Sequence, residues 1–156
     1  MIVVIGVGNE YRRDDGAGLA VAECLRGRAP RGVTVLTCPQ EPSRLIDAFE
    51  GADAALVVDA CSSGVEPGTL QRFDAADGEI PARAFRSSTH AFGVGEAIEL
   101  ARALGKLPRW MVVYGIEGEE FAAGEGLSPR VAAAVEPAAG EILQVLEKEA
   151  SCTSAR

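Results

Sequence analysis

A chain of 156 residues has the length of one domain, and folding at that size hides roughly 70% of the surface of the open chain, so a full core is available. Hydrophobic residues make up 47% and aromatics only 5%, which leaves the interior to Ala, Val, Leu and Ile. A formal charge of -8 without any basic patch excludes a nucleic-acid partner, because a polyphosphate is held by Lys and Arg that release its counterions.

The first element is the apolar run MIVVIGVG, which predicts a strand over residues 2–5. It is too short to cross a bilayer, has no basic region before it and meets Arg12, Arg13, Asp14 and Asp15 at once. Neither a membrane span nor a signal peptide is therefore read, and a cytoplasmic protein is expected. A helix is predicted from 16 to 25, a strand over 33–37, a helix over 42–49 and a strand over 54–58. Residues 69–75, TLQRFDA, alternate as a strand, but the loop before them is too short for a helical crossover, so an antiparallel edge strand is expected. A helix over 89–104 and a strand over 110–116 follow. The last helix, 129–149, is opened by Ser128 as N-cap and Pro129, and is expected to kink or split at Pro137.

Strands apolar on both faces are covered on both sides, as in parallel sheets, and their alternation with helices is that of an α/β domain. One domain over residues 1–150 is predicted, with a flexible polar tail at 151–156. Cys24, Cys38, Cys61 and Cys152 are far apart with no C-x-x-C, so reduced, mostly structural thiols are expected.

Gly6, Val7 and Gly8 begin a G-x-G phosphate fingerprint, but Tyr11 stands where its third glycine belongs, and Asp14 and Asp15 repel phosphate. Position suggests a different chemistry. Asp15 lies in the loop after the first strand and Asp59 ends the run ALVVDA, so both fall at the carboxyl edge of a parallel sheet, where ligands bind. His90, the single histidine, falls in the first turn after Ser88 or Thr89 as N-cap, where the helix dipole keeps imidazole neutral. Each has a plainer reading: Asp15 as a helix cap, Asp59 as a loop carboxylate bonding local N–H groups, His90 as an exposed side chain. Together, two carboxylates and one imidazole offer three ligands to a divalent cation, and suit nickel or zinc better than calcium. The same carboxylates can also share a proton and do acid/base work. No G-x-S-x-G elbow is present, and Cys61 beside acidic neighbours lacks the electropositive setting of a reactive thiol.

The segments GVGNEYRRDDGAG, VVDA, STHAFG and GEGLSPRVAAAVEPAAGEIL, in this order, resemble the hydrogenase maturation protease family over residues 2 to about 146. These endopeptidases trim the C-terminal extension from the large subunit of nickel–iron hydrogenases. The resemblance implies a three-layer sandwich, a central twisted, mostly parallel sheet with helices on both faces. It implies that Asp15, Asp59 and His90 bind metal, and that the metal is nickel presented by the substrate, with no permanently bound organic cofactor. Asp14 or Asp15 then activates water as the catalytic acid pair, or the metal acts as Lewis acid. The implied partner is the large-subunit precursor, met by a monomer. A non-enzymatic, metal-sensing chaperone or assembly factor using the same crevice is the alternative. The sequence departs from many members at CPQEPSRL, where they carry a glycine-rich turn, and Asp15 is one methylene shorter than the Glu of some members. Glu117, Glu119, Glu120 and Glu125 read as a solvated acidic loop.

Overall fold

The computed structural model describes residues 1–39, 44–75, 78, 80–81, 85 and 93–155. Five strands, β1 (Ile2–Gly8), β2 (Val33–Pro39), β3 (Ala54–Cys61), β4 (Leu70–Asp74) and β5 (Trp110–Glu117), form one sheet in the order β2-β1-β3-β5-β4. All pairs are parallel except β4 with β5, so residues 69–75 do supply the antiparallel edge strand. The helices are α1 (Ala17–Leu25), preceded by a 3-10 turn over Arg13–Gly16, then α2 (Leu45–Phe49), α3 (Val94–Ala103) and α4 (Pro129–Ser154).

Strand alternation sorts the core into two layers. Val3, Ile5, Ala55, Val57, Met111 and Val113 face Leu45 and Phe49 of α2 and Val94, Ala97 and Ile98 of α3. The intervening residues Ile2, Val4, Leu56, Val58, Val112 and Tyr114 face Val21 and Leu25 of α1 and Ile142 and Leu146 of α4. Period-two alternation of aliphatic residues on both sides is what a sheet between two helical layers demands. The fold is the expected three-layer α/β sandwich.

Two boundaries differ from the sequence reading, and a third falls partly outside the described residues. The last helix is one element from Pro129 to Ser154, not divided at Pro137, and it continues into the segment expected to be a flexible tail. Loss of one backbone donor at Pro137 is set against burial of Ala138, Ala139, Ile142 and Leu146 in the core, each fully buried or nearly so. Helix α3 starts at Val94, five residues beyond the predicted 89, because Gly93 has an extended backbone (φ -100°, ψ -173°) and its N–H donates to Glu96 Oε2 at 3.0 Å. A Glu at the third helical position closing back on the cap is a stronger local start than a lone hydroxyl. Helix α2 starts at Leu45; residues 42 and 43 of its predicted first turn lie outside the described residues.

No helix among the described residues is long and apolar enough to cross a membrane.

A candidate active site at the carboxyl edge of the sheet

Strand β1 ends at Gly8, and the chain must reverse at once into the turn that carries the paired acids. Asn9 starts the reversal: its Oδ1 accepts the Tyr11 N–H at 2.9 Å, and its backbone carbonyl accepts the Arg12 N–H at 3.2 Å. Gly8 has φ +151°, and a Cβ there would lie 1.9 Å from the Asp15 carbonyl oxygen, so only glycine fits. That carbonyl accepts the Asn9 N–H at 3.2 Å. Arg13, at φ +46°, takes a left-handed conformation uncommon for a residue with a Cβ. Its N–H donates to Gly124 O at 3.1 Å, and the Asp14 N–H donates to Glu120 O at 3.0 Å, so the 118–128 loop holds the strained turn in place.

The same turn is pressed against the sheet from behind. A Cβ on Gly18 would lie 2.3 Å from Val58 O and 2.4 Å from Val7 O, so α1 packs its backbone directly on β1 and β3. Asp15 and Asp59 are thereby brought together from two elements, 4% and 6% exposed. Asp59 Oδ1 accepts the N–H of Ala60 at 2.8 Å. Burial, and then the negative charge of Asp15, push the Asp59 carboxyl well above the usual carboxylate range, against the smaller opposing effect of the Ala60 bond. Two buried acids in this relation hold a proton or a cation between them more readily than two bare charges.

His90 lies outside the described residues. Among the described residues, no third His, Cys, Asp or Glu completes a set of three metal ligands with Asp15 and Asp59.

Asp14 departs from the expected role. Its carboxylate is fully buried and accepts four hydrogen bonds: Oδ2 from the N–H of Glu119 (2.8 Å), the N–H of Glu120 (2.9 Å) and the Ser128 hydroxyl (2.8 Å), and Oδ1 from the Ser128 N–H (2.7 Å). Four donors saturate the acceptor sites of a carboxylate, which leaves none for a water that is to be deprotonated. Held this way, Asp14 anchors the 118–128 loop, and these bonds compete with the water-activating role expected of it. The Ser128 hydroxyl, expected to cap α4, makes no bond to that helix and serves Asp14 instead.

Burial alone would raise the Asp14 carboxyl, but the donors from Ser128, Glu120 and Glu119 outweigh it and hold it below the usual range. An acid with a depressed folded value stabilises the fold above its unfolded value, and that contribution is lost as pH falls through the folded value. Asp14→Asn is expected to destabilise the protein at pH 7 by about 2–3 kcal/mol, with the deficit shrinking on acidification below the ordinary Asp range. Denaturant melts at pH 7 and pH 3 check this; an equal deficit at both pH values would contradict the charge-based role.

Of the four glutamates read as a solvated loop, Glu119, Glu120 and Glu125 are exposed, but Glu117 is 2% exposed and bonded. The signal was present in the sequence. Glu117 closes the apolar run WMVVYGI as Asp59 closes ALVV, and an acid at the end of a central strand lies on the edge where the sheet opens. Cys61 gains no reactivity from this setting: burial, then the Glu117 side chain, push its thiol far up, so it is a protonated packing residue. All four cysteines are free.

Beside the turn, a surface groove of about 430 Å³ runs along α1, between Gly16, Leu19 and Glu23 on one side and Pro39 and Leu127 on the other, with Arg13 at its end. Asp15 and Asp59 do not line it.

Comparison with known proteins places the chain in a family. Residues 19–145 match the model of a family described as hydrogenase maturation protease; the matched span includes Asp59 and His90 and begins just past the acid pair. The chain is 32% identical to the hydrogenase expression/formation protein HoxM of Azotobacter vinelandii over 160 residues, covering 99% of this chain and 76% of that protein. It is 29% identical to the hydrogenase 2 maturation protease of Escherichia coli (strain K12) over 151 residues, 94% of this chain and 91% of that one. The structure of the hydrogenase maturating endopeptidase HybD from E. coli superposes with a TM-score of 0.81 at 27% identity, over 95% of this chain and 93% of that chain.

Proposed function

Since this chain belongs to the hydrogenase maturation protease family and is a peptidase of hydrogenase maturation, we propose that it removes the C-terminal extension of a nickel–iron hydrogenase large-subunit precursor after nickel insertion. The observation that carries the reading is the convergence of Asp15 and Asp59 in one buried position, each at the carboxyl edge of the parallel sheet. Asp15, Asp59 and His90 supply two oxygens and one imidazole nitrogen, a donor set suited to nickel. Such a set leaves coordination positions on the ion that the precursor's own ligands can keep. Nickel is then part of the substrate, and cleavage is conditional on its presence.

Hydrolysis needs a polarised scissile carbonyl and a water placed to attack it. Nickel bound between the two proteins can polarise the carbonyl as a Lewis acid. Of the adjacent acids Asp14 is committed to the 118–128 loop, so taking the proton of the water falls to Asp15. Burial of both carboxylates lowers the dielectric around them, which strengthens their hold on a cation.

Nickel-edge X-ray absorption tests the recognition step. When nickel-loaded precursor is mixed with the protein, oxygen and nitrogen scatterers at about 2.0–2.2 Å are expected to join the nickel shell. A nickel spectrum unchanged by complex formation would contradict metal recognition.

A further inference from the structure

Strand β5 ends on a second buried acid that the site chemistry does not use. The Glu117 carboxylate accepts the N–H of Ser63 (2.8 Å) and Gly64 (2.9 Å), the Ser63 hydroxyl (2.9 Å) and the Cys61 thiol (3.3 Å). Its backbone holds the far end of the same loop: the Glu117 N–H donates to Thr69 O at 2.9 Å, and its carbonyl accepts the Gly68 N–H at 2.8 Å. Both ends of the segment 62–69 are thus tied to one residue. In the β3–β5 register, Cys61 lies opposite Glu117 and Asp59 opposite Gly115, so Asp59 is two residues from the tied end. Beyond Cys61 the ladder stops, and the Glu117 side chain takes over from it.

We propose that Glu117 is a positioning residue for the Asp15–Asp59 site: by holding Cys61, Ser63 and Gly64 against β5, it fixes the end of β3 from which Asp59 projects. The inference rests on the reading of Asp59 as a member of that site. A carboxylate suits the task because it accepts several donors at once and its charge strengthens each bond. With an apolar residue at 117, the Ser63 and Gly64 N–H groups lose their acceptor, the loop lifts, and the end of β3 is left with only its backbone pairing to β5, closed by the Gly118 N–H on Cys61 O at 2.9 Å.

The test compares the parent chain with Glu117→Ala and Glu117→Gln in metal-free solution and in titrations with nickel(II) alone. In Glu117→Ala, the Ala60 amide, bonded to Asp59, is expected to shift in the NMR spectrum and to exchange its hydrogen about tenfold faster, while Val4 in β1 is unmoved. Nickel affinity is expected to fall about 10–100-fold, the usual loss when a group that orients a metal ligand is removed. Glu117→Gln keeps one acceptor oxygen and is expected to lie between parent and alanine variant on both measures. A residue that contributed only stability would lower the melting temperature and move neither signal.

An Ala60 amide unchanged in folded Glu117→Ala overturns the proposal, whatever the nickel titration gives. Should the alanine variant not fold, an unchanged Ala60 amide in Glu117→Gln overturns it. If Ala60 responds but the parent binds no free nickel, Glu117 keeps its role and Asp15, Asp59 and His90 do not hold the ion without the precursor's own ligands.

Discussion

Asp15→Ala is expected to reduce release of the precursor's C-terminal extension by more than a hundredfold while leaving the protein folded. Loss of a group that merely orients a metal ligand costs 10–100-fold, so loss of a ligand, the role proposed for Asp15, costs more. The stability side of the prediction has a definite sign. Asp59 has a carboxyl raised by burial and by Asp15, and an acid with a raised folded value destabilises the fold at pH above its unfolded value. Taking away the Asp15 charge relieves part of that penalty, so the melting temperature at pH 7 should stay level or rise. Calorimetry beside the cleavage assay decides the matter: activity and melting temperature falling together would mark Asp15 as a structural cap.

Gly18→Ala is expected to cost the fold much of its stability. In an open helical position this exchange is favourable by roughly 0.5–1 kcal/mol, because alanine gives up less backbone freedom. At position 18 the added Cβ meets two backbone oxygens, Val58 O at 2.3 Å and Val7 O at 2.4 Å, and neither can swing aside as a side chain would. The clash dominates: α1 must back away from β1 and β3, and a net loss of about 3 kcal/mol or more is expected, some 6–12 °C in melting temperature at this chain length. Gly140→Ala in α4 is the control, since a Cβ there meets nothing within 4 Å and should stabilise slightly. Equal behaviour of the two variants would show that α1 does not rest on the sheet as described. Gly18→Ala should also impair cleavage in whatever fraction remains folded, because the contact it breaks is the one that brings Asp15 to Asp59.

The legible part of this protein follows from local chemistry. Aliphatic runs such as ALVV and WMVVYGI state a strand buried on both faces, and the short loop before residues 69–75 rules out a crossover; both conclusions need only neighbours in the chain. The meeting of Asp15 with Asp59 follows from parallel topology, which puts strand ends on one edge. The role of Asp14 was not legible, because its four donors come from Glu119, Glu120 and Ser128, more than a hundred residues along the chain. Nothing in RRDDG distinguishes an acid that anchors a distant loop from one that faces a ligand. Glu117 was misread for a related reason: its neighbours Glu119 and Glu120 made the stretch look solvated, although its place at the end of an apolar strand marked it as buried. The start of α3 at Val94 turned on a choice between two local signals, and the Gly93–Glu96 closure prevailed over the hydroxyls of Ser88 and Thr89 as the place where α3 begins.

In the proposed function, this fold cuts a polypeptide only where nickel is present. The intact mass of a nickel–iron hydrogenase large-subunit precursor, measured after incubation with a stoichiometric amount of the protein, tests it most directly. Nickel-loaded precursor should lose the mass of its C-terminal extension, and the extension should appear as a separate peptide, while nickel-free precursor keeps its full mass. A nickel-loaded precursor that stays intact while bound to the protein would contradict the account and point to an assembly factor that senses metal without cutting.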